Sequence, residues 1–190
     1  RLGWSFGDQE VFNIQEMIDA FDVKNINKSS AKFDLEKLEW LNQQHLTNSN
    51  SSDLTEFLKQ KTSLKELPSD NTINFFADAY KTRVDNLNEL LKYFNSLYAD
   101  EFSIEDTAAE KFLKPEIIEP FQDLLEMLEN IKWDVESINQ SLKSTCEKHA
   151  IGFGKIGQPL RVAITGGTES PSIDLTMTLL DRENVISRIK

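Results

Sequence analysis

Gly154-Lys155-Ile156-Gly157-Gln158-Pro159-Leu160-Arg161-Val162-Ala163-Ile164-Thr165-Gly166-Gly167-Thr168-Glu169-Ser170-Pro171 gathers turn residues, an arginine and small hydroxyls into one short span. Five of the seven glycines (Gly152, Gly154, Gly157, Gly166 and Gly167) lie within or beside it. Glycine admits positive φ and close approach of a backbone to a ligand. Pro159 presets φ for a helical turn through Leu160 and Arg161. Ser170, before Pro171, has the chemistry of an N-cap. The expectation is two short helices joined by Gly166-Gly167-Thr168-Glu169-Ser170, with Arg161 near the joint. The same pattern also fits a structural corner in a helical domain.

N-terminal of this stretch the pattern is helix after helix. Asn13-Ile14-Gln15-Glu16 reads as a capping box, and Ile14, Met17, Ile18 and Phe21 follow as a stripe expected to be buried. Asp34 caps a helix on which Leu38 and Leu41 share a face beside Trp40. Residues 47–53 are small and polar, a linker or helix boundary. The next helix spans Asp53 to Leu67, carries Leu54, Phe57, Leu58 and Leu64, and stops at Pro68. Residues 71–82 put Ile73, Phe76 and Tyr80 on one face. Val84, Leu87, Leu91, Phe94 and Tyr98 form the clearest stripe. Ser103 to Leu113 reads as a modest helix. Ile117, Phe121, Leu124, Leu125 and Leu128 mark the next, after Pro115, and Val135, Ile138, Leu142 and Cys146 the one after that. Ile173 to Leu180 and Arg182 to Ile189 close the chain. Leu160 to Thr165 is β-branched and ambiguous, and no repeat is evident. The reading is all-α: a multi-helix bundle or cage of two packed helical subdomains. Residues 1–48 form an entry region, 49–100 the first subdomain and 101–190 the second.

Composition narrows function. The net charge is −11, from 21 basic and 32 acidic residues, which opposes non-specific nucleic-acid binding. The distribution is uneven: residues 143–190 carry 7 basic and 5 acidic side chains and are net positive. Polyanion contact is therefore expected in the C-terminal quarter. No apolar run is long enough to span a bilayer, and the start lacks the pattern of a secretory signal. A first residue Arg1 points to a piece of a longer protein. One cysteine, Cys146, allows no internal disulfide and suits a reducing compartment.

Catalytic constellations are weak. Cys146 and His149 supply half a metal site, with only His45 left to join them. The alternative is a buried thiol beside an exposed imidazole. No Walker A or dinucleotide fingerprint is present. Two arginines stand apart: Arg83, the only arginine between Arg1 and Arg161, and Arg161 itself. Guanidinium suits planar recognition of base edges and phosphate, and unpaired RNA bases are read by stacking and edge contacts. The same two residues also suit salt bridges in an acidic bundle.

Two segments carry a resemblance. Arg1-Leu2-Gly3-Trp4-Ser5-x-Gly7-Asp8-Gln9-Glu10-x-Phe12, with Phe33-Asp34-x-Glu36-Lys37-Leu38-x-Trp40-Leu41-Asn42, resembles the region just after the catalytic domain of bacterial-type glutamyl-tRNA synthetases. Gln158-Pro159-Leu160-Arg161-Val162-Ala163-Ile164-Thr165-Gly166, then Ser170-Pro171, resembles that family's C-terminal anticodon-binding signature. The likeness extends over the chain, by helical pattern more than by letters at 47–80 and 100–135. It implies the C-terminal half of a class I glutamate–tRNA ligase: the end of the stem-contact region (1–48) followed by the anticodon-binding domain. Neither the His-Ile-Gly-His-type nor the Lys-Met-Ser-Lys-type catalytic motif is present, so this portion is expected to be inactive alone. ATP and Mg²⁺ are implied only for the full-length enzyme. The implied partner is the anticodon region of the glutamate tRNA, for a cytoplasmic, monomeric protein in protein biosynthesis. By the same likeness Arg161, Ser170, Pro171 and Ile173 line the anticodon pocket and Arg83 inspects the last anticodon base. The hydroxyls of Thr165, Thr168 and Ser170 would supplement the arginines. Ser172 and Asp181-Arg182 depart from the family's usual Gly and Gly-Lys. Rival readings are a helical protein-interaction scaffold without RNA binding and a small enzyme built on Cys146 and His149.

Overall fold

The computed structural model describes residues 3–27, 32–99 and 102–190. Arg1 and Leu2 of the first motif, part of the polar loop after Asp22, and the expected boundary at 100/101 lie outside the described residues. Among the described residues there are eleven α-helices and no strand beyond one isolated bridge, Phe6 to Gln9. They are α1 (Ile14–Ala20), α2 (Leu35–Asn48), α3 (Ser51–Lys61), α4 (Asp70–Tyr80), α5 (Leu87–Tyr98), α6 (Asp106–Phe112), α7 (Ile118–Leu128), α8 (Val135–Lys148), α9 (Phe153–Thr165), α10 (Ile173–Thr178) and α11 (Arg182–Ile189). Polar side chains set the starts. Asn13, Asp34, Ser69, Asn86, Asp134 and Asp181 each accept a bond from a first-turn N–H, satisfying a donor that the helix leaves orphaned. At Asn13 the full capping box forms. The small polar patch at 47–53 is a helix boundary, with α2 ending at Asn48 and α3 starting at Ser51.

One continuous apolar core runs from Leu46 to Ile189, joining α3–α5 to α7–α11. At its centre lies α9, which packs against α5, α6, α8, α10 and α11. The sequence suggested that Pro159 opens a helical turn; instead it sits inside α9, which begins six residues earlier at Phe153. Interior proline removes one ladder bond and costs about 3 kcal/mol. Against this, Ile156, Leu160, Val162 and Ile164 are all fully buried, each worth about 1.5–3 kcal/mol. Tertiary burial outweighs the local penalty and also settles the β-branched run Leu160 to Thr165 as helix.

Other stripes shift. On α5 the buried face is Leu90, Phe94 and Leu97, while Leu87 is exposed. Helix α3 stops at Lys61, short of Leu64. The expected burial of Ile14, Met17, Ile18 and Phe21 does not occur: α1 buries no residue, and Ile14 is 80% exposed. Its surroundings are a small aromatic cluster of Trp4, Phe6, Phe12 and Phe21. Periodicity shows which face of α1 is apolar but not whether another element covers it.

The end of α9 fixes the loop that follows. Gly166 caps it at φ +80°, donating its N–H to the carbonyl of Val162 at 2.9 Å. Its own carbonyl accepts from the N–H of Glu105 at 2.8 Å. A Cβ here would lie 2.3 Å from the backbone oxygen of Ser103, so only glycine fits. We expect Gly166→Ala to cost at least about 2 kcal/mol, seen as a lower midpoint in urea unfolding. Gly152→Ala, where a Cβ meets nothing within 4 Å, should stay near wild type.

Candidate nucleic-acid interface

Two parts of the fold face each other across a cleft. On one side α4 ends at Tyr80, which is 2% exposed and stacked on Phe76 with ring centroids 4.3 Å apart. The chain then turns, with the N–H of Arg83 donating to the carbonyl of Tyr80 at 2.8 Å. Val84 is fully buried and pins the turn, leaving the side chain of Arg83 exposed. Arg83 follows the C-terminus of α4, and Asn86 caps the separate helix that comes next. Tyr93 comes from α5, its ring 5.5 Å from that of Tyr80. On the other side α9 brings Arg161, and the loop after Gly166 brings Thr168, Glu169 and Ser170. Together Tyr80, Arg83, Tyr93, Arg161, Thr168, Glu169 and Ser170 line a cleft of about 360 Å³.

Arg161 is half-buried and held by neutral acceptors. Its Nε donates to Ser170 Oγ at 2.8 Å, Nη1 to Gln158 Oε1 at 2.5 Å and Nη2 to the carbonyl of Pro171 at 3.3 Å. Among the described residues no carboxylate lies within 4.0 Å of Arg161 or of Arg83. The salt-bridge alternative for the two arginines is therefore not realised. The contacts of Arg161 use three of the five N–H donors of a guanidinium and neutralise none of its charge. Burial holds its pKa below the ordinary arginine value, the positive charge of Arg83 pushes the same way, and Tyr80 opposes them. Two cations that destabilise each other share one opening, an arrangement relieved by an acceptor-rich or anionic ligand.

The remaining sequence candidates divide. Ser170 does not cap α10, which starts after Ser172; its hydroxyl instead receives Arg161 Nε and Thr176 Oγ1. Pro171 is buried and offers its carbonyl to Arg161. Thr168 is exposed, and its carbonyl accepts from Gln158 Nε2 at 3.0 Å. The hydroxyl of Thr165 is used internally, donating to the carbonyl of Arg161 at 2.8 Å and accepting from the N–H of Gly167. It faces an adjoining cavity of about 460 Å³ rather than the two-arginine cleft. Ile173 is 2% exposed and belongs to the core; it does not reach the cleft, since its side chain is needed where α10 meets α8 and α9. Sequence reasoning missed Tyr80, Tyr93, Gln158 and Glu169. Tyr80 was read only as a core position. The hydroxyl of Tyr93 donates to Glu169 Oε2 at 2.8 Å, a contact across 76 residues that no local pattern signals.

The alternative centre does not assemble. Cys146 is buried, and burial pushes its thiol pKa up, away from nucleophilic thiolate. His149 Nε2 lies 2.6 Å from Asp123 Oδ2, which also pairs with Lys148 at 2.7 Å. Among the described residues no group of three or more His, Cys, Asp or Glu side chains could hold a metal ion. No helix among them is long and apolar enough to cross a membrane.

Comparison with known proteins completes the geometry. Residues 38–190 match the family model described as the anticodon binding domain. A glutamate–tRNA ligase of Francisella tularensis subsp. novicida (strain U112) is 38% identical over 196 positions, which take in 100% of this chain and 42% of that protein. One from Francisella philomiragia subsp. philomiragia is 37% identical with the same coverage. The chain thus spans less than half the length of these curated relatives. The crystal structure of a glutamate tRNA ligase from Elizabethkingia meningosepticum superposes with a TM-score of 0.88 at 27% identity, covering 99% of this chain and 38% of that one. That of a glutamate-tRNA synthetase from Elizabethkingia anophelis gives 0.81 at 26% identity, covering 99% and 37%.

The clamp on Arg161 has a measurable weight. Ser170→Ala leaves Nε without its acceptor in a half-buried site, while Thr176 keeps the carbonyl of Ser172 at 3.0 Å. The expected loss is about 1 kcal/mol, read as a Tm lower by about 2–4 °C with unchanged far-UV circular dichroism.

Proposed function

The chain belongs to the anticodon binding domain family, and from that premise we propose that its two-arginine cleft receives unpaired anticodon nucleotides of a glutamate tRNA. In this reading the chain is the C-terminal, tRNA-binding portion of a glutamate–tRNA ligase. The longer parent joins glutamate to its tRNA with ATP and Mg²⁺. In this reading ATP, Mg²⁺ and the catalytic step belong to the part of the parent that lies outside this chain. The parent is proposed to act as a cytoplasmic monomer in protein synthesis.

One observation carries the reading. In a chain of net charge −11, two guanidinium groups with no carboxylate partner among the described residues open on one cleft beside two tyrosines. The half-buried Arg161 holds a charge without a counterion, a cost that an anionic or acceptor-rich ligand would relieve. Arg83, exposed at the rim of the cleft, reaches an incoming base edge or phosphate. Arg161, already aimed by Ser170, Gln158 and Pro171, presents its remaining N–H groups with little ordering cost. Thr168 and Ser170 line the same opening. Thr165, Pro171 and Ile173 act by holding the loop and α10 in place rather than by touching bases. The acidic remainder of the surface repels other polyanions and leaves binding to a few placed contacts. A protein-interaction scaffold accounts for the acid-rich faces but gives no reason for the paired, unneutralised arginines.

In the full-length enzyme, Arg161→Ala and Arg83→Ala should each lower kcat/KM for tRNA roughly 10- to 100-fold, the range of a lost base contact. The Kd values for ATP and glutamate measured without tRNA should not change. Equal tRNA use by wild type and both variants would reject the site.

A further inference from the structure

Glu169 stands out in a cleft meant for RNA. It is exposed on the loop between α9 and α10 and lines the same opening as Arg83 and Arg161. Among the described residues no cation lies within 4.0 Å of it. Its recorded hydrogen bond comes from Tyr93 Oη at 2.8 Å. A lone carboxylate in a polyanion site weakens general affinity, since it opposes phosphate. Its position is explained by what it accepts rather than by what it attracts.

We propose that Glu169, oriented by the Tyr93 hydroxyl, is a specificity-determining residue that accepts a hydrogen bond from the exocyclic amino group of an unpaired base in the two-arginine cleft. This rests on the RNA-binding reading of that cleft. The chemistry follows from the donor and acceptor inventory. Guanidinium groups only donate and an ionised carboxylate only accepts. A lining that combines both complements a base edge carrying ring acceptors next to an amino donor. Cytosine has that edge, with N3 and O2 beside N4, and carboxylates accept from cytosine N4. Uracil puts a carbonyl where cytosine has the amine, and that oxygen would face the carboxylate unpaired. Rejecting it needs no extra contact, only an acceptor that cannot turn into a donor. Tyr93 serves as the positioning residue. Its ring packs on Tyr80, and burial, together with the neighbouring Glu169, raises its phenol pKa above the ordinary value, keeping it a donor. With one carboxylate oxygen fixed by Tyr93, the other remains an acceptor on a residue that lines the cleft.

The test uses this 190-residue chain and hairpin RNAs identical but for cytosine or uracil at one unpaired loop position, each position taken in turn. Binding is followed by fluorescence anisotropy at low salt. Wild type is expected to prefer cytosine at one loop position by roughly tenfold or more. Glu169→Gln keeps the size, and with its Oε1 accepting from Tyr93 its Nε2 can only donate to the base, so the preference for cytosine should be lost or reversed. Glu169→Ala removes both the acceptor for cytosine and the repulsion of uracil, so the two hairpins should bind with nearly equal affinity. Tyr93→Phe, which retains the ring, should reduce the preference without lowering Tm. An unchanged preference in both Glu169 variants overturns the proposal. If Arg83→Ala and Arg161→Ala still weaken both hairpins in that case, the cleft remains the RNA site and only the role of Glu169 falls. If wild type binds neither hairpin, the site and the proposal fall together.

Discussion

The left-handed turn at Gly166, pressed against the Ser103 carbonyl, is the constraint from which the cleft follows. There α9 must stop and its chain must turn back along α6. The hydroxyl of Thr165 bonds back to the carbonyl of Arg161 and forward to the N–H of Gly167, so the helix end and the turn form one hydrogen-bonded unit. The acceptors that reach Arg161 from beyond α9 are delivered by this unit. Ser170 and Pro171 supply acceptors for the guanidinium, and Gln158 ties the carbonyl of Thr168 to the same helix face. Without a fixed exit direction the loop would have no reason to lie over Arg161 rather than in solvent.

Charge is used sparingly in this fold. Arg182 donates to the carbonyls of Glu129 and Ile131 and lies over the ring of Trp133. Arg188 donates to the carbonyls of Ile164 and Leu97 and lies over Phe102. Both act as multi-donor staples for backbone oxygens at helix ends, a task for which a forked planar cation is suited. They account for much of the positive excess in the C-terminal quarter, which is therefore less available to a polyanion than the sequence count implies. What remains is Arg161, half committed, and Arg83, uncommitted. A field that is acidic overall with one exposed and one half-buried guanidinium group in one opening favours discrimination over general affinity.

The N-terminal region follows a different rule. Of the large hydrophobic side chains that are exposed among the described residues, most lie between Phe6 and Trp40. Trp4 gathers Phe6, Phe12 and Phe21 around its ring, and Lys37 pairs with Glu10 while lying 3.8 Å over the Trp40 ring. These contacts order the segment locally without embedding it. Helix α2 joins the main core only near its end, through Leu46, with Asn42 reaching the carbonyl of Asp85 at 2.5 Å.

From the sequence alone came the all-α class, the caps at Asn13 and Asp34, the apolar faces of α4, α7 and α8, and the two arginines worth attention. Those features are local: a capping side chain bonds within its own first turn, and helical spacing repeats within a few residues. Tertiary structure decided the rest. It carried α9 through Pro159, because burial of Ile156, Leu160, Val162 and Ile164 outweighs one lost ladder bond. It left the α1 stripe in solvent, because amphipathicity names a face but not its cover. It drew Ile173 into the core and brought Glu169 to Tyr93 and Arg83 to Arg161. The groups in those pairs lie some 76 to 78 residues apart in the chain, and only the packing of α4 and α5 beside the end of α9 places them within reach of one ligand.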